Sequence, residues 1–255
     1  MKASSLSLHS VVQKTKNTPS ACGGVKSERF ASATPGAGAC PGVNTSLFAS
    51  FVRRGGFVYW PRTSMRKIVF DIETKNFFHE TGSNDPASLD IAVVCIHDSA
   101  TDNYQSFFEH ELGKLWPVVE KADLLIGFNS DHFDIPLLNK YYPGDLTKIK
   151  SIDLLKEVKR SLGRRIKLDA LASATLGRKK TADGALAASW WKKGEKEKVR
   201  DYCIEDVKIT KELYEHVLKR GTINYLDGTV MKEIKLDTTG WETEALNAIT
   251  HTLPF

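Results

Sequence analysis

The chain has 255 residues, 41% of them hydrophobic and 9% aromatic, with 36 Lys and Arg against 31 Asp and Glu. A chain this long can bury a core without disulfides, and this composition excludes a collagen-like, coiled-coil or disulfide-stapled protein. No stretch of about 18 uninterrupted apolar residues occurs, which excludes a helical membrane span.

Charge is distributed unevenly. Residues 1–64 hold eight basic residues and a single acid, Glu28. Residues 65–149 carry a net charge of −7, residues 150–200 of +9 and residues 201–255 of −4. An acidic body with one basic segment suits a protein that holds cations in a site with a polyanion beside it; a solvated basic helix face is the plainer alternative. The four cysteines, Cys22, Cys40, Cys95 and Cys203, show no metal-ligand spacing. Cys95 and Cys203 read as buried free thiols, which suits a reducing compartment and a cytoplasmic location.

Residues 1–64 are rich in Ser, Thr, Gly and Ala and lack periodicity, so they read as a low-complexity leader. The leader is transit-peptide-like, which would make the protein organellar, or an upstream extension with Met65 as the natural start. From there the pattern alternates. Lys67–Glu73 is a short apolar strand bearing two acids. Ser88–Asp98 and Asn103–Phe108 are strands joined by a turn at Ser99–Asp102. His110–Lys121 has helical spacing, with Pro117 expected to kink or restart it. Asp123–Phe128 is a buried strand, Ile135–Tyr142 a helix and Ile149–Ile152 a short strand. Helices follow at Leu154–Leu162, Leu168–Leu176, Ala182–Trp191 and Lys196–Arg220. Ile223–Leu226 and Thr229–Leu236 form a hairpin around Asp227-Gly228. The order is α/β with a mixed sheet rather than a run of pure βαβ units.

In Lys67–Glu73 the side chains alternate, so Ile68, Phe70 and Ile72 share one face and Val69, Asp71 and Glu73 the other. Two carboxylates then point the same way, about 7 Å apart along the strand. Burying them unpaired is costly and they repel; a divalent cation between them removes both problems. In Lys196–Arg220 the inward stripe runs Val199, Cys203, Asp206, Thr210, Leu213, Val217, so an acid takes a core position, with Tyr202 one turn before it. In Leu124–Leu138 a hydrophobic strand ends in a turn, Asn129-Ser130-Asp131-His132, and Phe133-Asp134-Ile135-Pro136 opens a helix. Asp134 has a purely structural alternative there as an N-cap. Together Asp71, Glu73, Asp134 and Asp206 form a plausible ligand set for a hard, two-metal site.

Phe70-Asp71-Ile72-Glu73-Thr74, then Asn129…Phe133-Asp134, then Tyr202-Cys203-Ile204-Glu205-Asp206 resemble the three motifs of the DEDD 3′–5′ exonucleases with Tyr in the third motif. The wording is similar to that of the proofreading exonuclease domain of family-B DNA polymerases and its stand-alone relatives. Leu168–Gly177 and Asp183-Gly184 also look like segments found between the second and third motifs. The resemblance spans about residues 65–220 and implies an RNase H-like mixed five-stranded sheet (βββαβαβα) flanked by helices, followed by a C-terminal β-hairpin and tail over 221–255. It implies two Mg²⁺ or Mn²⁺ ions held by Asp71, Glu73, Asp134 and Asp206, with Tyr202 orienting the attacking water. It also implies single-stranded nucleic acid as partner, cut from its 3′ end to nucleoside 5′-monophosphates. Thr74, Asn129, Phe133 and Phe77 are then candidate substrate contacts, with core packing the alternative for Phe77 and Phe78. Lys159, Arg160, Arg164, Arg165, Arg178, Lys179, Lys180, Lys192 and Lys193 would attract phosphates. Trp190-Trp191 has the look of a single-strand platform, against one Trp packing inward and the other lying over a lysine stem. DNA is placed ahead of RNA. A non-catalytic nucleic-acid-binding module and a structure-selective endonuclease are the competing readings.

Overall fold

In the computed structural model, residues 65–178 and 185–243 are described. The leader, Lys179, Lys180, Asp183-Gly184 and the tail beyond residue 243 lie outside them. The element order is β1 (Lys67–Thr74), α1 (Phe78–Thr81), β2 (Ile91–Asp98), β3 (Asn103–Phe108), α2 (Leu112–Val119), β4 (Leu124–Gly127), α3 (Asp134–Asn139), β5 (Ser151–Asp153), α4 (Leu154–Leu162), α5 (Leu168–Leu176), α6 (Ala185–Lys192), α7 (Lys196–Arg220), β6 (Thr222–Asp227) and β7 (Val230–Lys235).

Five strands form one mixed sheet in the order β3-β2-β1-β4-β5, and β6 and β7 form a separate hairpin. β1 pairs antiparallel with β2 and parallel with β4, so the strand bearing Asp71 and Glu73 is central. Centrality follows from composition: Ile68, Val69, Phe70 and Ile72 are buried, so both faces of β1 need cover. The expected mixed five-stranded sheet with flanking helices and a C-terminal hairpin is the observed architecture.

The two faces of β1 enter separate apolar clusters. Ile68, Phe70 and Ile72 join Val94, Ile96, Leu112, Leu115 and Leu138, under α2 and α3. Val69 joins Val93, Cys95, Val199, Cys203, Val207 and Leu213, under α7. The same cluster takes Ile223, Tyr225 and Ile234 of the hairpin and Trp241, which stacks on Tyr214. Cys95 and Cys203 are free and buried.

Some boundaries differ from the sequence-based expectation. β2 begins at Ile91, because Pro86–Ser88 closes as a 3₁₀ turn capped by Asp85. Pro117 stays inside α2 without breaking it. The helix loses one intrahelical bond there, and burial of Leu112, Leu115 and Val119 outweighs it. The hairpin turn is Gly228-Thr229, since Asp227 pairs with Val230; Gly228, at φ 65°, supplies the left-handed residue one position later than a turn centred on Asp227-Gly228 requires.

A buried ion pair closes the end of β1 away from its acids. Arg66 donates to Asp98 through Nε at 3.0 Å and Nη2 at 2.6 Å, and the Asp98 side chain is 1% exposed. Burial works against ionised Asp98, but Arg66 and the Ala100 N–H hold it below the usual carboxylate range. Arg66→Ala strands that charge and is expected to cost about 3 kcal/mol in urea unfolding. The double variant Arg66→Met/Asp98→Leu should recover most of the loss.

Candidate active site

β1 carries Asp71 and Glu73 two residues apart, on the face that receives α7. α7 runs 25 residues and buries Val199, Cys203, Val207, Thr210, Leu213 and Val217, which sets its rotation and turns Asp206 toward the sheet. The Cys203 Sγ–H donates to the Asp71 carbonyl at 3.4 Å, which seats the helix directly on the strand. As a result one carboxylate oxygen from each of Asp71, Glu73 and Asp206 lies within 4.8 Å of the other two.

Asp134 stands outside that mutual set but within electrostatic reach, raising the pKa of both Asp71 and Glu73. It opens α3, and the N-cap position is taken by Phe133. Asp134 is therefore not the N-cap of α3; the nearby N–H groups of Asp134 and of Ile72 on β1 favour its ionised carboxyl against burial.

The electrostatics follow from this crowding. Burial, then the charges of Asp206, Glu73 and Asp134, push Asp71 well above the carboxylate range. Burial, Asp206 and Asp134 do the same to Glu73. Burial lifts Asp134 to about 8, with Asp153 adding to it. Burial lifts Asp206 to about 7 against a stabilising hydrogen bond from Tyr202. Tyr202 is itself raised by burial and by Asp206 and Glu73, so its hydroxyl stays protonated at neutral pH. Trp190 packs edge-on against Tyr202 at 5.9 Å.

The donor set fits hard divalent cations. All four groups offer oxygen, the nearby Cys203 thiol is engaged with a backbone carbonyl, and Asp71 Oδ2 is buried with no hydrogen-bond partner. A buried carboxylate oxygen without a partner is costly, and a cation at this position would satisfy it.

The candidate substrate contacts divide between two cavities. Thr74, Phe77 and Phe133 line one of about 240 Å³ together with Glu73, Phe78 and Ala188. Phe78 packs edge-on against Phe133 at 6.1 Å, while Phe77 stacks on His79 beneath the Lys192 ammonium. Asn129 lines the other, of about 400 Å³, with His132, Lys156, Lys159 and Arg165. Much of the basic segment is internally paired: Arg160 with Glu157, Arg164 with Asp227, Arg178 with Glu205 and Glu212, Lys192 with Glu80. Trp190 packs against Tyr202, and the ammonium groups of Lys75 and Lys196 lie over the Trp191 ring.

Two acids carry more than the sequence reading assigned them. Asp153 is buried and accepts from the N–H groups of Asn129, Asp131, Leu155 and Lys156, so it caps α4 and fastens the turn before Asp134. An Asp immediately before an apolar-periodic helix is an N-cap signal, and would have marked it. Asp169, in the first turn of α5, acts on Asp206 through its charge; no sequence signal places it there.

A family model described as the RNase_H superfamily matches residues 68–218. Among solved structures, the chain is similar to the family B DNA polymerase from the hyperthermophilic archaeon Pyrobaculum calidifontis, with 20% identity and a TM-score of 0.49 over 60% of this chain. It spans 24% of that polymerase chain. No curated protein gives a significant match. Among the described residues no helix is long and apolar enough to cross a membrane.

The raised acids predict an inverted pH dependence of stability in chelator. Asp134 and Asp206 titrate near 8 and 7 in the folded state and near 3.8 unfolded, so between those values the folded state binds more protons. Their stabilising contribution is complete below about pH 4 and lost as pH rises through 7 and 8. The melting temperature in EDTA should therefore carry a component that falls from pH 5 to pH 8. At pH 8, Asp71→Asn should raise it, and Mg²⁺ or Mn²⁺ should raise it for wild type alone.

Proposed function

Because the chain belongs to the RNase_H superfamily, we propose that it is a metal-dependent 3′–5′ exonuclease of the DEDD type with Tyr in its third motif. It would hydrolyse single-stranded nucleic acid, DNA ahead of RNA, to nucleoside 5′-monophosphates. The observation that carries this reading is the convergence of Asp71, Glu73 and Asp206 from β1 and α7 to within 4.8 Å, with Asp134 adjoining.

Asp71, Glu73, Asp134 and Asp206 would hold two Mg²⁺ or Mn²⁺ ions, directly or through water. Such ions supply a hydroxide-like nucleophile near neutral pH and offset charge building on the phosphoryl oxygens. What the chain itself does is narrower. The four carboxylates provide the anionic field and fix its position through β1, α3 and α7. Tyr202 lies beside Asp206 and keeps its proton, so its hydroxyl would orient a water rather than serve as base. The 240 Å³ cavity beside Glu73, walled by Phe77, Phe78 and Phe133, offers apolar surface for a terminal base.

The test is a 5′-labelled single strand incubated with Mg²⁺ or Mn²⁺. A ladder shortening from the 3′ end is expected; its absence at every metal concentration sinks the proposal. Asp71→Ala and Asp206→Ala should abolish cutting. Tyr202→Phe should slow it on the order of 10²-fold, with metal binding retained by calorimetry. Matched DNA and RNA oligomers decide the sugar, and degradation of a circular strand would point to an endonuclease instead.

A further inference from the structure

The turn before Asp134 holds an arrangement that hydrolysis at the acid cluster does not use. Asn129 sits at φ 68°, in the left-handed region that Asn tolerates better than most residues. Its backbone N–H donates to Asp153 Oδ1 at 2.8 Å, and that of Asp131 to Asp153 Oδ2 at 3.2 Å. On its side chain, Arg165 Nη2 donates to Oδ1 at 2.6 Å. A guanidinium offers donors only, so this contact settles which way the amide lies. Asn129 lines the cavity, and with its oxygen engaged the Nδ2–H groups are the donors its side chain has left to offer.

The cavity, about 400 Å³, is completed by Lys156 and Lys159 of α4. Lys156 is neutralised by Asp131 at 2.7 Å. Among the described residues, neither Lys159 nor Arg165 has a carboxylate partner, in contrast to the paired arginines on either side, Arg160 and Arg164. Asp153, a lining residue, is saturated by four backbone N–H donors and cannot serve a cation as freely. A concave site with free N–H donors and two uncompensated cations selects an anion rich in acceptors. The site also adjoins the acids, since Asp153 acts electrostatically on Asp134.

We propose that this cavity is a second phosphate site, in which the Asn129 amide, Arg165 and Lys159 take a backbone phosphate of the strand whose end lies at the acid cluster. Arg165 is a positioning residue as well as a charge, because it engages the Asn129 amide oxygen and leaves the amide N–H groups as donors. The identity of the strand rests on the exonuclease reading; the anion chemistry does not.

Two substrates separate this role from a structural one. Thymidine 5′-p-nitrophenyl phosphate has no second backbone phosphate, whereas a short single-stranded oligomer does. Arg165→Ala and Lys159→Ala should each lower kcat/KM on the oligomer about tenfold more than on the ester, chiefly through KM. Equal losses on both substrates, or no loss on either, overturn the proposal. Should wild type cleave neither substrate, the exonuclease reading fails by itself. The cradle is then judged by anisotropy of a fluorescent oligomer in EDTA. Each variant should weaken binding at least fivefold and reduce the slope of log K against log salt by about one. Unchanged affinity and slope overturn the proposal. Inorganic phosphate competing as well as the oligomer does, per phosphate, would also overturn it, by showing a site for the free ion.

Discussion

Mutual repulsion among carboxylates at one end of β1 is the constraint that the rest of the molecule answers to. Asp71 and Glu73 are set side by side by the pleat, and Asp206 is brought to within 4.8 Å of both. Among the described residues, none of the three is paired with a lysine or arginine. Moving a carboxylate such as Asp206 from 3.8 to about 7 opposes folding by a few kcal/mol at neutral pH, so the fold must supply at least that much elsewhere. It does so with apolar burial. α7 alone buries Val199, Cys203, Val207, Ile209, Leu213 and Val217, and a fully buried Val or Leu contributes roughly 1.5–3 kcal/mol. The acids are held together because the stripe that carries them is worth more than their repulsion.

The architecture divides this labour cleanly. β1 is central, so its two acids cannot retreat by strand fraying. α7 cannot slide, since it is gripped along its length: Cys203 on the Asp71 carbonyl, Tyr214 against Trp241, and the hairpin residues Ile223 and Ile234 on its flank. The turn leading to α3 is fastened by Asp153, a carboxylate spent entirely on backbone donors. Cations that could have quenched the acids are committed elsewhere, as in the pairing of Arg178 with Glu205 and Glu212.

Period was the legible part of the sequence. Alternation in Lys67–Thr74 placed Asp71 and Glu73 on one face, and the four-and-three stripe of α7 placed Asp206 inward, because both patterns are local consequences of backbone geometry. Where the competing forces were tertiary, local reading failed. Pro117 is a helix breaker by propensity, yet three buried residues on α2 hold the helix through it. Asp134 carries the local signature of a cap, yet Phe133 takes the cap position and the Asp134 side chain is buried. The pairing of Arg165 with Asn129 spans 36 residues and leaves no trace in either neighbourhood. Basic residues looked alike in sequence; only the structure separates Arg164, neutralised by Asp227, from Arg165, which is not.

The two cavities give the site a polarity that the acid cluster lacks. The segment Asn129–Phe133 stands between them: Phe133 walls the apolar cavity beside Glu73, while Asn129 and His132 wall the basic one. A nucleotide strand is itself polar in this sense, with stackable bases on one side of each unit and a charged backbone on the other. Rings suit Phe77, Phe78 and Phe133, and the acid on that wall, Glu73, disfavours a phosphodiester. A phosphate suits Asn129 and Arg165, and a base gains little from their charges. On the proposed function, the partition would orient a strand before any reaction. One short turn, anchored by Asp153 through Asn129 and Asp131, sets the distance between the two kinds of contact. Since Asp134 follows directly on that turn, the anchor that would orient the strand also places one of the four carboxylates, so on the proposed function strand register and carboxylate position would be set by a single local structure.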